Sequence, residues 1–130
     1  MFLKIDPNNG IAIYDQIVRQ MKYAVAEGTL TPGQLVPSVR ELARMITVNP
    51  NTIQRAYQQL QDDQVLESIR GRGLAVCRTA VKQCVQDRHD LLRGRLEQVV
   101  QEGLRSGLEP EQLKSLFEKI LKQAAKTEEM

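Results

Sequence analysis

Histidine, cysteine and long apolar runs are all scarce in this chain, and each shortage removes a class of function. His89 is the only histidine, and Cys77 and Cys84 are the only cysteines, among 130 residues. With one imidazole and no Cys-x-x-Cys pair, no zinc site of ordinary ligand spacing can be assembled, and no metal is expected. No Ser/His/Asp arrangement and no phosphate-cradling glycine loop stands out, so neither an enzyme nor a bound cofactor is expected. No apolar run approaches the roughly 18–20 residues that span a bilayer, and no charged-apolar-cleavage pattern marks a signal peptide. These absences predict a soluble, cytoplasmic protein without a membrane partner. In that setting the two cysteines read as reduced and packed like small hydrophobes, since nothing nearby in sequence would depress either thiol's pKa.

Charge of either sign is barely in excess, with 18 Lys+Arg against 16 Asp+Glu for a net of +2. Its distribution is more informative than its sum. Between Ser38 and Arg55 only Glu41 opposes Arg40, Arg44 and Arg55, and between Ser68 and Ala80 no acid opposes Arg70, Arg72 and Arg78. The positive field is local.

Local chemistry sets out the elements around those arginines. In Pro37-Ser38-Val39-Arg40-Glu41 the Ser38 side chain can accept from the N–H of Glu41 while Glu41 reaches back to the N–H of Ser38, a capping box that starts a helix. Val39, Leu42, Ala43 and Ile46 then share one face, leaving Arg40 and Arg44 on the other. A cation in the first turn opposes the helix dipole, which points to an external anion as its partner. After the short link Thr47-Val48, Asn49 caps a second helix and Pro50 takes its first position, where a missing N–H costs nothing. Ile53, Ala56, Tyr57 and Leu60 form its buried stripe, so Asn51, Gln54, Arg55 and Gln58 face outward. Amides can pair bidentately with adenine and guanidinium with guanine, each discriminating by roughly 1–3 kcal/mol. Taken alone, that face reads equally as the solvated side of any surface helix.

The next segment separates those readings. Val65, Leu66 and Ile69 read as a strand and Leu74 to Cys77 as its return, with Arg70-Gly71-Arg72-Gly73 as a cationic turn. A helix, a turn, a second helix and a glycine-tipped hairpin are the layout of a winged helix-turn-helix, and double-stranded DNA is the first partner to consider. The candidate contacts are Ser38, Arg40, Arg44, Asn49, Asn51, Thr52, Gln54, Arg55, Gln58 and the wing from Arg70 through Gly71 and Arg72 to Gly73.

The remaining segments read as scaffold and appendage. Residues 1–10 form an extended lead-in ending in turn chemistry at Asp6-Pro7-Asn8-Asn9-Gly10. A helix from about Ala12 to Glu27 buries Ile13, Ile17, Met21, Ala24 and Val25 and stops at Gly28, with Arg19 and Lys22 read as solvated charges. Beyond Thr79 a long helix, from about Val81 to Ser106, carries Val85, Leu92, Leu96, Val99, Val100, Gly103 and Leu104 along one side. Pro110 opens another, on which Leu113, Leu116, Phe117, Ile120, Leu121 and Ala124 recur at helical spacing. Two such stripes cannot both be buried by each other, so the pair is read as a homodimerisation segment, the other option being a cap on the N-terminal domain. Residues 127–130 are expected to fray. The expected fold is mainly α with a small β-hairpin, divided into a DNA-binding domain over 1–79 and a dimerisation segment over 80–130.

From Ile13 to Val76 the chain resembles the GntR family of bacterial transcription regulators. The resemblance is carried by Ile13-Tyr14-Asp15-Gln16-Ile17, Leu30-Thr31-Pro32-Gly33, Pro37-Ser38-Val39-Arg40-Glu41-Leu42-Ala43, Val48-Asn49-Pro50-Asn51-Thr52-Ile53-Gln54-Arg55-Ala56-Tyr57 and Arg70-Gly71-Arg72-Gly73. The Asn-Pro-Asn-Thr run and short two-helix tail resemble its YtrA-like subfamily. The resemblance implies a homodimeric regulator, usually a repressor on a palindromic operator, with Arg40 at the start of the second helix, Asn51, Gln54 and Arg55 on the recognition helix and Arg70 and Gly71 at the wing tip. Departures are Ala12 where Pro is common, Leu74-Ala75 for Thr-Phe, and Gln64 where Gly usually ends the recognition helix. If Gln64 must adopt a left-handed conformation, the cost is about 1–2 kcal/mol. A small-molecule effector would need a pocket between the C-terminal helices and the DNA-binding domain, and its identity is not written in the sequence. The alternative from another class is a winged-helix protein-interaction module that oligomerises through its C-terminal helices.

Overall fold

The computed structural model describes residues 3–129. Its elements run α1 (Ile13–Glu27), α2 (Val39–Ile46), α3 (Pro50–Asp62), β1 (Leu66–Ile69), β2 (Gly73–Val76), α4 (Ala80–Arg105) and α5 (Pro110–Glu129). The chain divides into two compact units, Met1–Leu91 and Leu92–Met130, so the division falls within α4. No helix among the described residues is long and apolar enough to cross a membrane.

In the first unit the stripes read from sequence meet in one core. Ile17, Met21 and Val25 of α1, Leu42 of α2, and Ile53, Ala56, Tyr57 and Leu60 of α3 are buried together with Val65, Leu66 and Val76. Full burial of each large apolar side chain stabilises by about 1.5–3 kcal/mol, which is why these short helices hold. The strands pair antiparallel, Leu66 opposite Val76 and Ile69 opposite Gly73. The segment after Pro32 adds backbone to this hairpin: Val36 N–H donates to Leu74 O and Val76 N–H to Gln34 O, each at 2.9 Å. That segment has no side-chain period of its own, and its pairing was not foreseen.

At the end of α3, of the caps open to a chain with Gln64 where the family usually has glycine, the left-handed one is adopted. Gln64 takes φ +60°. Its N–H donates to Gln61 O at 3.0 Å while Val65 N–H donates to Leu60 O at 2.8 Å. This is a Schellman termination with a glutamine in the glycine position, completed by the buried pair Leu60 and Val65.

Three expectations are corrected. Lys22 is not solvated: its Nζ lies 2.9 Å from Asp63 and 3.3 Å from Asp87, so α1, the end of α3 and α4 meet at one ammonium. Arg19 is likewise paired, with Asp15 at 3.2 Å. Residues 127–129 remain helical because α5 runs through Glu129, while Met130 lies outside the described residues. The lead-in is tied down by Gln16, which is buried. Its Oε1 accepts from Asp6 N–H at 2.9 Å and its Nε2 donates to Asp6 O at 2.7 Å.

The second unit has little interior of its own. A side chain at Gly103 would come within 2.5 Å of Leu113 Cδ2, so α4 and α5 touch where glycine leaves room. Leu113, read as a dimerisation residue, is therefore partly covered by its own chain. Gly107, at φ +100°, ends α4 with Leu108 N–H donating to Gly103 O at 3.1 Å.

Candidate nucleic-acid interface

The capping box of α2 forms as its sequence requires. Glu41 N–H donates to Ser38 Oγ at 3.2 Å and Ser38 N–H donates to Glu41 Oε1 at 3.1 Å. The backbone and side-chain hydrogen bonds from Ser38, then the charge of Arg44, hold the Glu41 carboxyl below the usual glutamate range. The one acid between Ser38 and Arg55 is thus committed to the cap, and Arg40 and Arg44 stand exposed beside it.

At α3, Asn49 Oδ1 accepts from Asn51 N–H at 2.8 Å. Asn49 therefore keeps its two amide donors and one lone pair of Oδ1 for an incoming partner. Thr52 is half-buried, while Asn51, Gln54, Arg55 and Gln58 are exposed as the stripe requires. Two of these are not free. Gln58 Nε2 donates to Asp62 Oδ1 at 3.1 Å, and the Arg55 guanidinium carbon sits 3.7 Å from the centre of the Tyr14 ring. Among the described residues the side chains of Asn51 and Gln54 make no hydrogen bond, leaving both amides available.

The wing turns on Gly71, at φ +77°, with Arg72 N–H donating to Ile69 O at 2.9 Å. A single positive φ at the third position is the type II pattern and needs glycine. Arg70, Gly71 and Arg72 are exposed. Gly73, assigned to the turn by sequence, instead pairs with Ile69 as the first residue of β2. Arg72 and Gly73 line a groove of about 590 Å³ together with Ser38, Glu41 and Tyr57, so the wing and the start of α2 flank one concavity. A second groove of about 430 Å³ brings Asn49 and Thr52 together with Thr47, Val48, Ile5 and Ile13. Arg44 and Gln58 line neither.

The cations divide in a way the sequence could not display. Arg19 and Lys22 of α1 are engaged by carboxylates within 4.0 Å, whereas among the described residues Arg40, Arg44, Arg55, Arg70 and Arg72 have none. Sequence reasoning missed Tyr14 as the platform under Arg55. Its only trace was an aromatic at the start of an amphipathic helix.

An exposed helix bearing amides and an arginine, set on a three-helix core with a cationic hairpin beside its partner helix, defines a DNA-binding transcription regulator of the winged helix-turn-helix class. The chain belongs to the GntR family of bacterial regulatory proteins, whose model matches residues 13–76. It is 36% identical over 118 residues to the HTH-type transcriptional repressor YtrA of Bacillus subtilis, covering 91% of each chain. A GntR family transcriptional regulator from Listeria monocytogenes superposes with a TM-score of 0.70 at 30% identity, covering 86% of this chain and 97% of that one. The DNA-binding domain of AraR, solved in complex with operator ORX1, shares the fold over 59% of this chain and 99% of that one, at a TM-score of 0.50 and 23% identity.

Proposed function

We propose that the chain acts in the cytoplasm as a homodimeric repressor that occupies a roughly palindromic operator, with residues 1–79 reading DNA and 80–130 pairing the subunits. The observation that carries this reading is the set of exposed guanidinium groups on α2, α3 and the wing that have no carboxylate partner among the described residues. Cations left unneutralised by the protein are those whose binding to phosphate releases counterions and supplies affinity. Arg40, Arg44, Arg70 and Arg72 would set register on the backbone, with the Ser38 hydroxyl and the glycines Gly71 and Gly73 allowing close approach. Asn51, Gln54 and Arg55 would address base edges, Asn49 and Thr52 would contribute at the head of the helix, and Gln58 would first release Asp62.

Pairing is supported by the second unit. Leu92, Leu96, Val99, Val100 and Leu104 of α4 and Leu116, Phe117, Ile120 and Leu121 of α5 are each between 40% and 58% exposed. All of these except Leu92 and Leu121 line an apolar groove of about 430 Å³ in which Lys114 is the one charged residue. A second copy of the same hairpin is the occupant that also serves DNA reading, since two-fold pairing presents two recognition helices to half-sites about 34 Å apart. Blocking transcription by occupancy fits the repressor name of the Bacillus subtilis relative.

Selection of bound duplexes from a random pool, with sedimentation of the free protein, tests the reading. A two-fold symmetric consensus and a sedimenting dimer are the expected results. Selection of no sequence over the pool, or of an asymmetric site by a monomer, would contradict it.

A further inference from the structure

The Tyr14–Arg55 stack reaches beyond the scaffold. Tyr14 lies in the first turn of α1 and packs half-buried against the core. Arg55 stands exposed on α3 with its guanidinium carbon 3.7 Å from the centre of the Tyr14 ring. Asp15, the carboxylate next to Tyr14 on α1, is already held by Arg19 at 3.2 Å. A stacked guanidinium uses its face, and its N–H donors radiate in the plane, so the fork that pairs with guanine remains open at the edge. An unstacked arginine must give up several rotatable bonds when it binds, whereas a stacked one arrives with part of that ordering already made.

We propose that Tyr14 is a specificity-determining positioning residue: it holds the Arg55 fork in a fixed plane beside the recognition helix, so that Arg55 reads one guanine in each half-site. The inference rests on the reading that α3 addresses bases. It assigns to α1, otherwise scaffold, a share in sequence discrimination without any contact between Tyr14 and DNA.

The test is a double-mutant cycle on the selected operator and on a set of duplexes changed at one base pair at a time, using the full chain. Arg55→Ala and Tyr14→Leu are each expected to weaken operator binding by about tenfold, to relax preference at the same base pair, and to lose little more when combined. Tyr14→Phe keeps the ring and should bind as the parent does. Arg55→Lys, a surface change that keeps the charge but not the planar stack, should lose the same preference. The slope of affinity against salt should not change with Tyr14→Leu, and a thermal melt of each variant separates misfolding from lost positioning. The inference is overturned if the two single losses multiply in the double variant, if Tyr14→Leu weakens all duplexes equally, or if Tyr14→Phe falls with Tyr14→Leu. If Gln54→Ala and Arg55→Ala both leave every base preference intact, the broader reading of α3 fails instead.

Discussion

The Tyr57 hydroxyl donates to the carbonyl oxygen of Pro37 at 2.7 Å. The bond runs from the buried side of α3 to the residue just ahead of the Ser38 cap, so it fixes where α2 begins relative to α3. Burial, and then the Glu41 carboxylate, hold the phenol well above its ordinary range, so it remains a donor at any working pH. Tyr57→Phe keeps the packing and removes the donor. It should cost about 1–2 kcal/mol of unfolding free energy, read as a lower denaturant midpoint with unchanged slope, and an unchanged midpoint would contradict the assignment.

The Lys22 cluster makes a prediction in pH. Burial opposes the ammonium charge, but the hydrogen bond and charge of Asp63, joined by those of Asp87, outweigh it and raise its pKa above the ordinary 10.5. A raised folded-state pKa stabilises the fold fully below the unfolded value, and that contribution is lost as pH climbs through the folded value. The contribution from the lysine's own titration is therefore flat across neutral pH and declines in strong alkali. Lys22→Met, which leaves two carboxylates facing each other, should cost about 1–3 kcal/mol at pH 7, partly restored by Asp87→Asn in the same chain.

Both thiols are free and buried. Burial, then the Asp87 charge, pushes Cys84 up to about 11. Burial, then the Glu67 charge, raises Cys77. Thiolate is the reactive form, so a disulfide-exchange reagent at pH 8 should label neither at an appreciable rate until denaturant is added. Rapid labelling of the native protein would show that one of them is reactive after all.

At Gln64 a non-glycine residue holds φ +60°. Glycine there relieves the left-handed strain but also loosens the unfolded chain, and the two effects differ in size. Gln64→Gly should gain about 0.5–1 kcal/mol, seen as a higher melting temperature. A loss would mean that the side chain makes a contact worth more than the strain.

What was legible in the sequence was mostly local. Ser38 with Glu41 and Asn49 with Pro50 mark helix starts because the groups that satisfy each other sit within one turn, whereas the question of a left-handed Gln64 came from the family resemblance, in which glycine usually stands there. Relationships between distant residues were not. Nothing adjacent to Lys22 announces Asp63 and Asp87, and nothing beside Arg55 announces Tyr14. The pairing of residues 33–36 with β2 uses backbone groups alone, which carry no side-chain signature. Among the candidate contacts, exposure and the Asn49 cap followed from helical period and capping chemistry, but the engagement of Gln58 by Asp62 depended on the rotamers the two side chains adopt.

The central claim is that unpaired arginines of α2 and the wing neutralise phosphate while α3 reads bases. The most direct measurement is operator affinity as a function of salt for the parent, Arg40→Ala, Arg72→Ala and Gln54→Ala. The account predicts that each arginine variant lowers the slope of log affinity against log salt by about 0.9 on every duplex, whereas Gln54→Ala keeps the slope and loses preference at one base pair per half-site. Slopes indistinguishable from the parent in both arginine variants would contradict it.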